Sequence, residues 1–183
     1  TLAWKAPDPV WAYEGNILYS GAGMDWLARS LGVAPGADFS ALAAEFTGAP
    51  RAYFVPALNG LGAPWWEADA VGTLTGLTAN TTRAELAFAG ISAVCHQVCD
   101  VLDAMDPDRE QQVLHVGGGA SASTLLMQTQ ANLLGRRLLV SSIPDISAVG
   151  VAALAFRARG IPFVPGADLA PTLVAPEAGF SAA

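Results

Sequence analysis

Charge is scarce in this chain. Of 183 residues, 14% are Asp, Glu, Lys or Arg, with nine basic residues against sixteen acidic ones and a formal net charge of −7. So few cations, nowhere clustered, exclude a surface built to meet a nucleic-acid backbone. Cysteine is nearly missing as well. Cys95 and Cys99 are too few for a disulfide framework and fit a reducing cytoplasm, so a cytoplasmic location is expected. No apolar run reads as a bilayer span and no leader pattern precedes the fold, so a membrane is not expected as a partner. An initiator methionine is absent too. Thr1 passes straight into a strand-like Leu2-Ala-Trp-Lys, and we expect a piece of a longer protein.

What is present is apolar. The chain is 52% hydrophobic, much of it alanine, which favours close-packed helices over a bulky aromatic core, and it is globular, not disordered. At this length a domain of ordinary size closes around a core.

The stretch that organises the rest is Gln112 to Met127. A short apolar run (Val113, Leu114, Val116) meets Gly117, Gly118 and Gly119, and a pattern with helical spacing follows. A strand that ends in glycines and opens into a helix exposes backbone N–H groups at the positive end of the helix dipole, a site for phosphate or another anion. Glycine also lets a ligand approach the main chain closely. An ordinary tight strand-to-helix turn explains the same residues, and the glycines alone do not choose between the two.

Along the chain, Trp11-Ala-Tyr reads as a strand, with Ile17-Leu-Tyr as further extended structure. Ser20-Gly-Ala-Gly opens a short helix with Met24, Leu27, Ala28 and Leu31 on one face, ended by Gly32 and by Pro35-Gly36. Asp25 and Arg29, four apart, are expected to form a weak surface ion pair. A short helix is expected around Ala41 to Phe46, then the strand Tyr53-Phe-Val before Pro56. In the loop Asn59-Gly-Leu-Gly-Ala-Pro-Trp-Trp, Trp65 and Trp66 are expected to pin the chain to the core.

Gly72 to Thr78 alternates as a strand. The long helix after it is capped by Thr81 or Thr82, with Glu85 as capping-box acid, and carries one stripe from Leu86 through Gly90, Ile91, Val94, Val98, Val101 and Leu102 to Met105. Cys95, His96 and Cys99 have the wrong spacing for a zinc knuckle and read as core or flank residues, and His115 reads as a satisfied structural histidine. A helix to Leu134 stopped by Gly135, a strand Arg137-Leu-Leu-Val, and an Ala-rich helix from about Ser147 to Arg159 complete the pattern. The tail from Pro162 is Pro/Ala-rich and reads as a surface wrap or disorder. Strands first, then helix, strand, helix, strand, helix predict an α/β fold with a mixed sheet.

Five stretches resemble the FGGY carbohydrate kinases, the family of glycerol kinase and xylulokinase. They are Glu14-Gly-Asn-Ile with Ser20 to Leu27, Tyr53 to Trp66, Gly72 to Thr78 with Arg83-Ala-Glu-Leu-Ala, Val116-Gly-Gly-Gly-Ala, and Ala148-Val-Gly-Val-Ala-Ala. They occur in family order over nearly the whole chain.

The resemblance implies a ribonuclease-H-like (actin/hexokinase-type ATPase) domain with a mixed sheet flanked by helices. It would be the C-terminal, nucleotide-binding domain over residues 1–161, lacking its first hairpin, with residues 162–183 as a tail. It implies ATP and Mg²⁺ as cofactors and a sugar or polyol substrate bound mainly by the missing N-terminal domain. By motif match, Gly21 lies near the nucleotide, Asp25 falls where a nucleotide-contacting Gln is usual, Gly117, Gly118 and Gly119 form the adenosine motif, and Ser123 falls where an adenine-contacting Asn is usual. Asp25 and Ser123 therefore depart from the pattern, as do Val71 for a frequent Arg, Gly90, and Ser92 for a usual Glu.

The phosphate motif Asp-x-Gly-Thr, the catalytic-base Asp and the second phosphate hairpin would all lie upstream. No residue of this chain takes the base role by motif; Glu67 and Asp69 read as solvated loop carboxylates. The fragment is expected to be inactive alone and to form a homo-oligomer through an unpaired sheet edge or the face its partner domain would cover.

Two other readings stand beside this one. Gly117 to Ala122 satisfies the G-x-G-x-x-A turn of an NAD-dependent oxidoreductase, although no acid ends the next strand, which closes on Val140-Ser-Ser. A non-catalytic, actin- or chaperone-like nucleotide-binding module shares the same fold-level logic.

Overall fold

The computed structural model describes residues 1–5, 8–34, 38–143, 145–163 and 170–180. Pro35-Gly36, read above as a stop signal, and Pro144 lie outside them.

The longest element, α3 (Arg83–Met105), is the axis of the molecule. Its first turn is closed by Thr82, whose Oγ accepts the Glu85 N–H at 3.1 Å. Its end follows from Pro107, which cannot continue a helix. The expected single stripe is too narrow. Ala87, Ile91 and Cys95 join a core cluster with Leu126, Met127, Ala131 and Leu138. Ala89 and Ala93 join a second cluster with Leu27 and Phe54. A helix buried on two sides reads as apolar all round. For the same reason α3 is long and apolar enough by composition to cross a membrane, although 56% of its most apolar window is buried inside the protein.

Small alanine and glycine positions on α3 let its neighbours come close: a Cβ on Gly90 would meet Leu27 Cδ2 at 2.7 Å. The neighbours are α1 (Gly21–Ser30), α2 (Phe39–Ala44) and α4 (Thr124–Leu134).

The strands form three small sheets. β1 (Leu2–Lys5) and β2 (Pro9–Trp11) make an exposed antiparallel hairpin, and β3 (Tyr53–Val55) pairs antiparallel with β4 (Thr73–Thr75). The third sheet is mixed, in the order β5-β6-β7. β5 (Val113–Val116) and β6 (Arg137–Val140) are parallel, with α4 as their crossover, and β6 pairs antiparallel with β7 (Thr172–Val174). The outer edge of β5 is unpaired among the described residues. Behind β6 comes α5 (Ile146–Ala158), capped by Asp145 and with no fully buried residue.

Several local expectations are corrected. Residues 17–19 form no strand, because the chain there bends into α1. Asp25 and Arg29 form no ion pair among the described residues. In the tail, residues 172–174 form β7, held against α4 by Asn132, whose Oδ1 accepts the Glu177 N–H at 2.9 Å and whose Nδ2 donates to Glu177 Oε2 at 3.0 Å. Residues 164–169 and 181–183 of that tail lie outside the described set.

Glu85 does not complete a capping box. Its carboxylate, 8% exposed, accepts from the N–H groups of Arg51 (3.0 Å) and Ala52 (3.2 Å) at the entry to β3. The chain of residues 50–52 passes close enough to compete for it, and two donors, one of them the buried Ala52 N–H, outweigh one exposed cap N–H.

Trp65 and Trp66 are 62% and 68% exposed, so neither is buried in the core, and only Trp65 ties the loop to α3. The loop closes on its own backbone instead: Leu61 N–H donates to Glu67 O, Trp66 N–H to Gly62 O, and Ala63 N–H to Asn16 O. A Cβ on Gly62 would lie 2.2 Å from Asn16 O, so only glycine permits that approach. With the backbone turned inward, the indoles point out; Trp65 Nε1 donates to Asp100 Oδ2 at 3.2 Å. His115 is likewise not a satisfied core residue. It is exposed on β5 and makes no side-chain hydrogen bond among the described residues.

Candidate nucleotide site

Three of the six expected site residues, Gly117, Gly118 and Gly119, are contiguous, Ser123 follows at the far end of the same turn, and the fold gives each a distinct role. β5 ends at Val116, and the chain turns through Gly117 and Gly118 into a 3₁₀ turn, Gly119–Ala122, which Ser123 joins to α4. Gly117 is confined: a Cβ there would meet Ile146 Cγ2 at 3.0 Å. Gly118 has φ of +105°, a conformation that side chains rarely adopt. Around Gly118 and Gly119 an added Cβ would meet nothing within 4 Å, so the turn is open to a ligand.

No side chain caps the 3₁₀ turn, and the N–H groups of Gly119 and Ala120 have no acceptor among the described residues. Ser121 Oγ turns inward and donates to Gly118 O at 2.7 Å.

Ser123 is committed to structure. Its Oγ accepts the Leu126 N–H at 3.2 Å, capping α4, and lies 2.8 Å from Ser40 Oγ at the start of α2. Ser40 is a site neighbour that sequence reasoning missed. It lies 83 residues from Ser123 in a stretch that reads as loop, and no local signal announces the contact.

Gly21 begins α1. The N-cap Ser20 makes no side-chain cap bond, and the N–H groups of Gly21 and Ala22 find no acceptor among the described residues. A Cβ on Gly21 would meet nothing within 4 Å. Asp25, one turn on, is exposed and without a hydrogen-bond partner among the described residues. Met24 of α1 packs on the core cluster that contains Leu126 and Met127 of α4, so the two helix starts approach one cluster. No hydrogen bond joins α1 to the glycine turn among the described residues.

The site thus has two sets of uncapped N–H donors, each at the positive end of a helix or turn, beside glycines that leave room for an anion. Free N–H donors at the positive end of a helix or turn are the kind of group that can hold an anion through main chain. A cavity of about 380 Å³ between α3, β5 and α4 reaches Gly117, Ala120 and Ser121 at this turn. A larger one, about 390 Å³, lies apart from all six expected residues, between Phe54, Trp65, His96 and Asp100. Both are lined mainly by apolar atoms.

No group of three or more His, Cys, Asp or Glu able to hold a metal occurs among the described residues. Glu67 and Asp69 are exposed loop carboxylates, and Glu67 Oε1 accepts the Asp69 N–H at 3.2 Å. Both cysteines are free thiols held protonated: burial, then Cys99, pushes Cys95 up to about 12, and burial, then Asp103, pushes Cys99 up to about 11.

The model of the FGGY family of carbohydrate kinases, C-terminal domain, matches residues 3–159. The glycerol kinase of Burkholderia vietnamiensis is 44% identical over 164 residues, which are 87% of this chain and 33% of that protein. Among solved structures, a xyloylose kinase from Brucella ovis superposes with a TM-score of 0.74 at 26% identity, over 88% of this chain and 34% of that one. The glycerol kinase of Plasmodium falciparum, solved with ADP, gives 0.70 at 24% identity over 86% and 33%. The chain therefore spans about a third of the length of these relatives, and its α/β architecture is theirs, the actin/hexokinase ATPase fold.

Proposed function

Because the chain belongs to the FGGY family of carbohydrate kinases, as a C-terminal domain, we propose that it is the ATP-binding half of an enzyme that transfers the γ-phosphoryl group of ATP to a hydroxyl of a sugar or polyol, glycerol or a pentulose such as xylulose. The observation that carries this reading is the glycine turn, with uncapped N–H groups at Gly119 and Ala120 and no obstruction around Gly118 and Gly119. Phosphoryl transfer depends on positioning and on electrostatic stabilisation of a charged in-line transition state. In this half, Gly118 and Gly119 would back the nucleoside. The start of α1 at Gly21 would add its dipole and free donors, with Asp25 at the rim. Mg²⁺ would arrive with the nucleotide to neutralise its phosphate charge, and no residue of this chain is assigned as its ligand. The acceptor's deprotonation needs a positioned base, which we assign to the rest of the kinase; the isolated chain is then inactive. A cytoplasmic location suits its free thiols. We also expect a homo-oligomer, with the unpaired outer edge of β5 as one route to self-association.

Calorimetric titration of the chain with Mg-ATP, Mg-ADP and NAD, alongside Gly119→Asp, tests the proposal. A Cβ at Gly119 meets nothing within 4 Å, so the substitution is expected to leave the fold intact. Adenine-nucleotide binding that Gly119→Asp abolishes is the expected result. NAD binding without ATP binding would sink it in favour of the dinucleotide reading.

A further inference from the structure

The larger cavity, about 390 Å³, has the size of a small-molecule site and shares no residue with the glycine turn. Its walls differ in kind. One is α3, where Ser92, His96 and Asp100, spaced by four, stand in a row along the cavity. The other is β3 and the loop after it, which contribute Val55, Pro56 and Leu61. Backbone bonds hold that loop in place, from Leu61 N–H to Glu67 O and from Ala63 N–H to Asn16 O. Phe54, Ala89 and Ala93, all buried, close the floor. Asp100 is the one carboxylate on the lining, and no lysine or arginine of the described residues joins it there. It forms no ion pair among the described residues. Its Oδ2 accepts the Trp65 Nε1–H at 3.2 Å, while its Oδ1 has no partner among the described residues.

We propose that this cavity is a second ligand site, for a small organic ammonium ion on an aromatic body, such as a protonated arylalkylamine, with its nitrogen on Asp100 and its ring against Phe54 and the apolar wall. The lining argues against the other ligand classes in turn. An anion would meet the Asp100 carboxylate with no lysine or arginine beside it to offset the repulsion. A sugar or polyol carries hydroxyls on every side, and those turned to Val55, Pro56 and Leu61 would be buried without partners. An uncharged apolar molecule would strip water from Asp100 and return nothing to it. An ammonium ion gives the free Oδ1 a charge-assisted hydrogen bond, and its apolar body covers the opposite wall. Trp65 holds the carboxylate by its other oxygen, so the acceptor is already in place before a ligand arrives.

The test is titration of the ¹⁵N-labelled chain with tryptamine, tryptophol and indole-3-acetate, which share one ring system and end in a cation, a neutral hydroxyl and an anion. The readout is the Trp65 Nε1–H resonance, assigned by its loss in Trp65→Phe, because that group bonds Asp100 directly. Tryptamine is expected to shift it saturably and to bind about tenfold more tightly than tryptophol, with indole-3-acetate weakest. Asp100→Asn, which keeps an acceptor for Trp65, is expected to bring amine and alcohol within about threefold of each other. Ser92→Leu, which fills the cavity from α3 without touching Asp100, is expected to abolish the shift, with the fold of each variant checked by its thermal midpoint. Equal binding of amine and alcohol by the unaltered chain, an amine preference that survives Asp100→Asn, or no saturable shift with any of the three overturns the inference. Mg-ATP binding at the glycine turn is measured separately on the same samples, so either site can fail while the other stands.

Discussion

The carboxylate of Glu85 holds the backbone N–H of Ala52 at 3.2 Å and that of Arg51 at 3.0 Å, across a separation of 33 and 34 residues. It joins the first turn of α3 to the entry of β3, beside the core cluster that contains Ala52 and Phe54. Removing it strands two donors, of which the Ala52 N–H is buried. Glu85→Ala is expected to cost about 3 kcal/mol in urea unfolding, and Glu85→Gln, which keeps an acceptor, about 1 kcal/mol. Equal losses for the two would show that the carboxylate does not act through these bonds.

The buried guanidinium of Arg136 donates from Nη1 to Asp106 Oδ2 at 2.8 Å. Desolvation raises the Asp106 pKa, but the N–H groups of Glu110 and Gln111 and the charge of Arg136 together outweigh it, and the net shift is downward. A carboxylate lowered on folding contributes stability above its unfolded value, about 4, and loses it as pH falls through the folded value. Asp106→Asn should therefore flatten the acid limb of the stability profile below about pH 4. An unchanged limb in thermal melts between pH 2 and 5 would assign acid unfolding to other groups.

Gly118 and Gly119 are neighbours with opposite tolerance. Gly118 has φ of +105°, so Gly118→Ala forces a side chain into a conformation it avoids, at about 1–3 kcal/mol. Gly119→Ala, in open space, should leave stability within about 0.5 kcal/mol. Chemical denaturation of the pair measures the difference directly.

Trp66 has φ of 51° and is 68% exposed, so it combines backbone strain with little burial. Trp66→Gly should raise stability by about 1 kcal/mol. A loss in differential scanning calorimetry would mean that the indole contributes more than its exposure implies.

Cys95 and Cys99, raised to about 12 and about 11, carry almost no thiolate near neutrality. The thiolate is the reactive form. Both should resist iodoacetamide at pH 8 in the folded chain and react promptly in denaturant. Because the folded values are raised, their contribution to stability is complete below the unfolded value, about 8.5, and is lost as pH climbs through the folded values.

What could be read in the sequence was local. The helical spacing of α3, the Thr82 cap, the αL stop at Gly135 (φ +63°) and the strand–glycine–helix order depend on residues within a turn or two of each other. So does the family resemblance, whose blocks are short and sequential, and the family match over residues 3–159 bears it out. What only tertiary structure decided lies between distant segments. Glu85 left its expected cap because the chain before β3 brought two donors, one of them buried, within reach. The tail gained β7 because β6 had an edge to pair and Asn132 had both donor and acceptor to offer Glu177. Trp65 and Trp66 stay largely exposed because the loop's glycines turned its backbone toward the protein, and Trp65 reaches α3 only through Asp100. At the candidate site the glycines were legible and Ser40 was not. A hydrogen bond across 83 residues has no periodicity, and it exists only once α2 and α4 pack against the same face of α3.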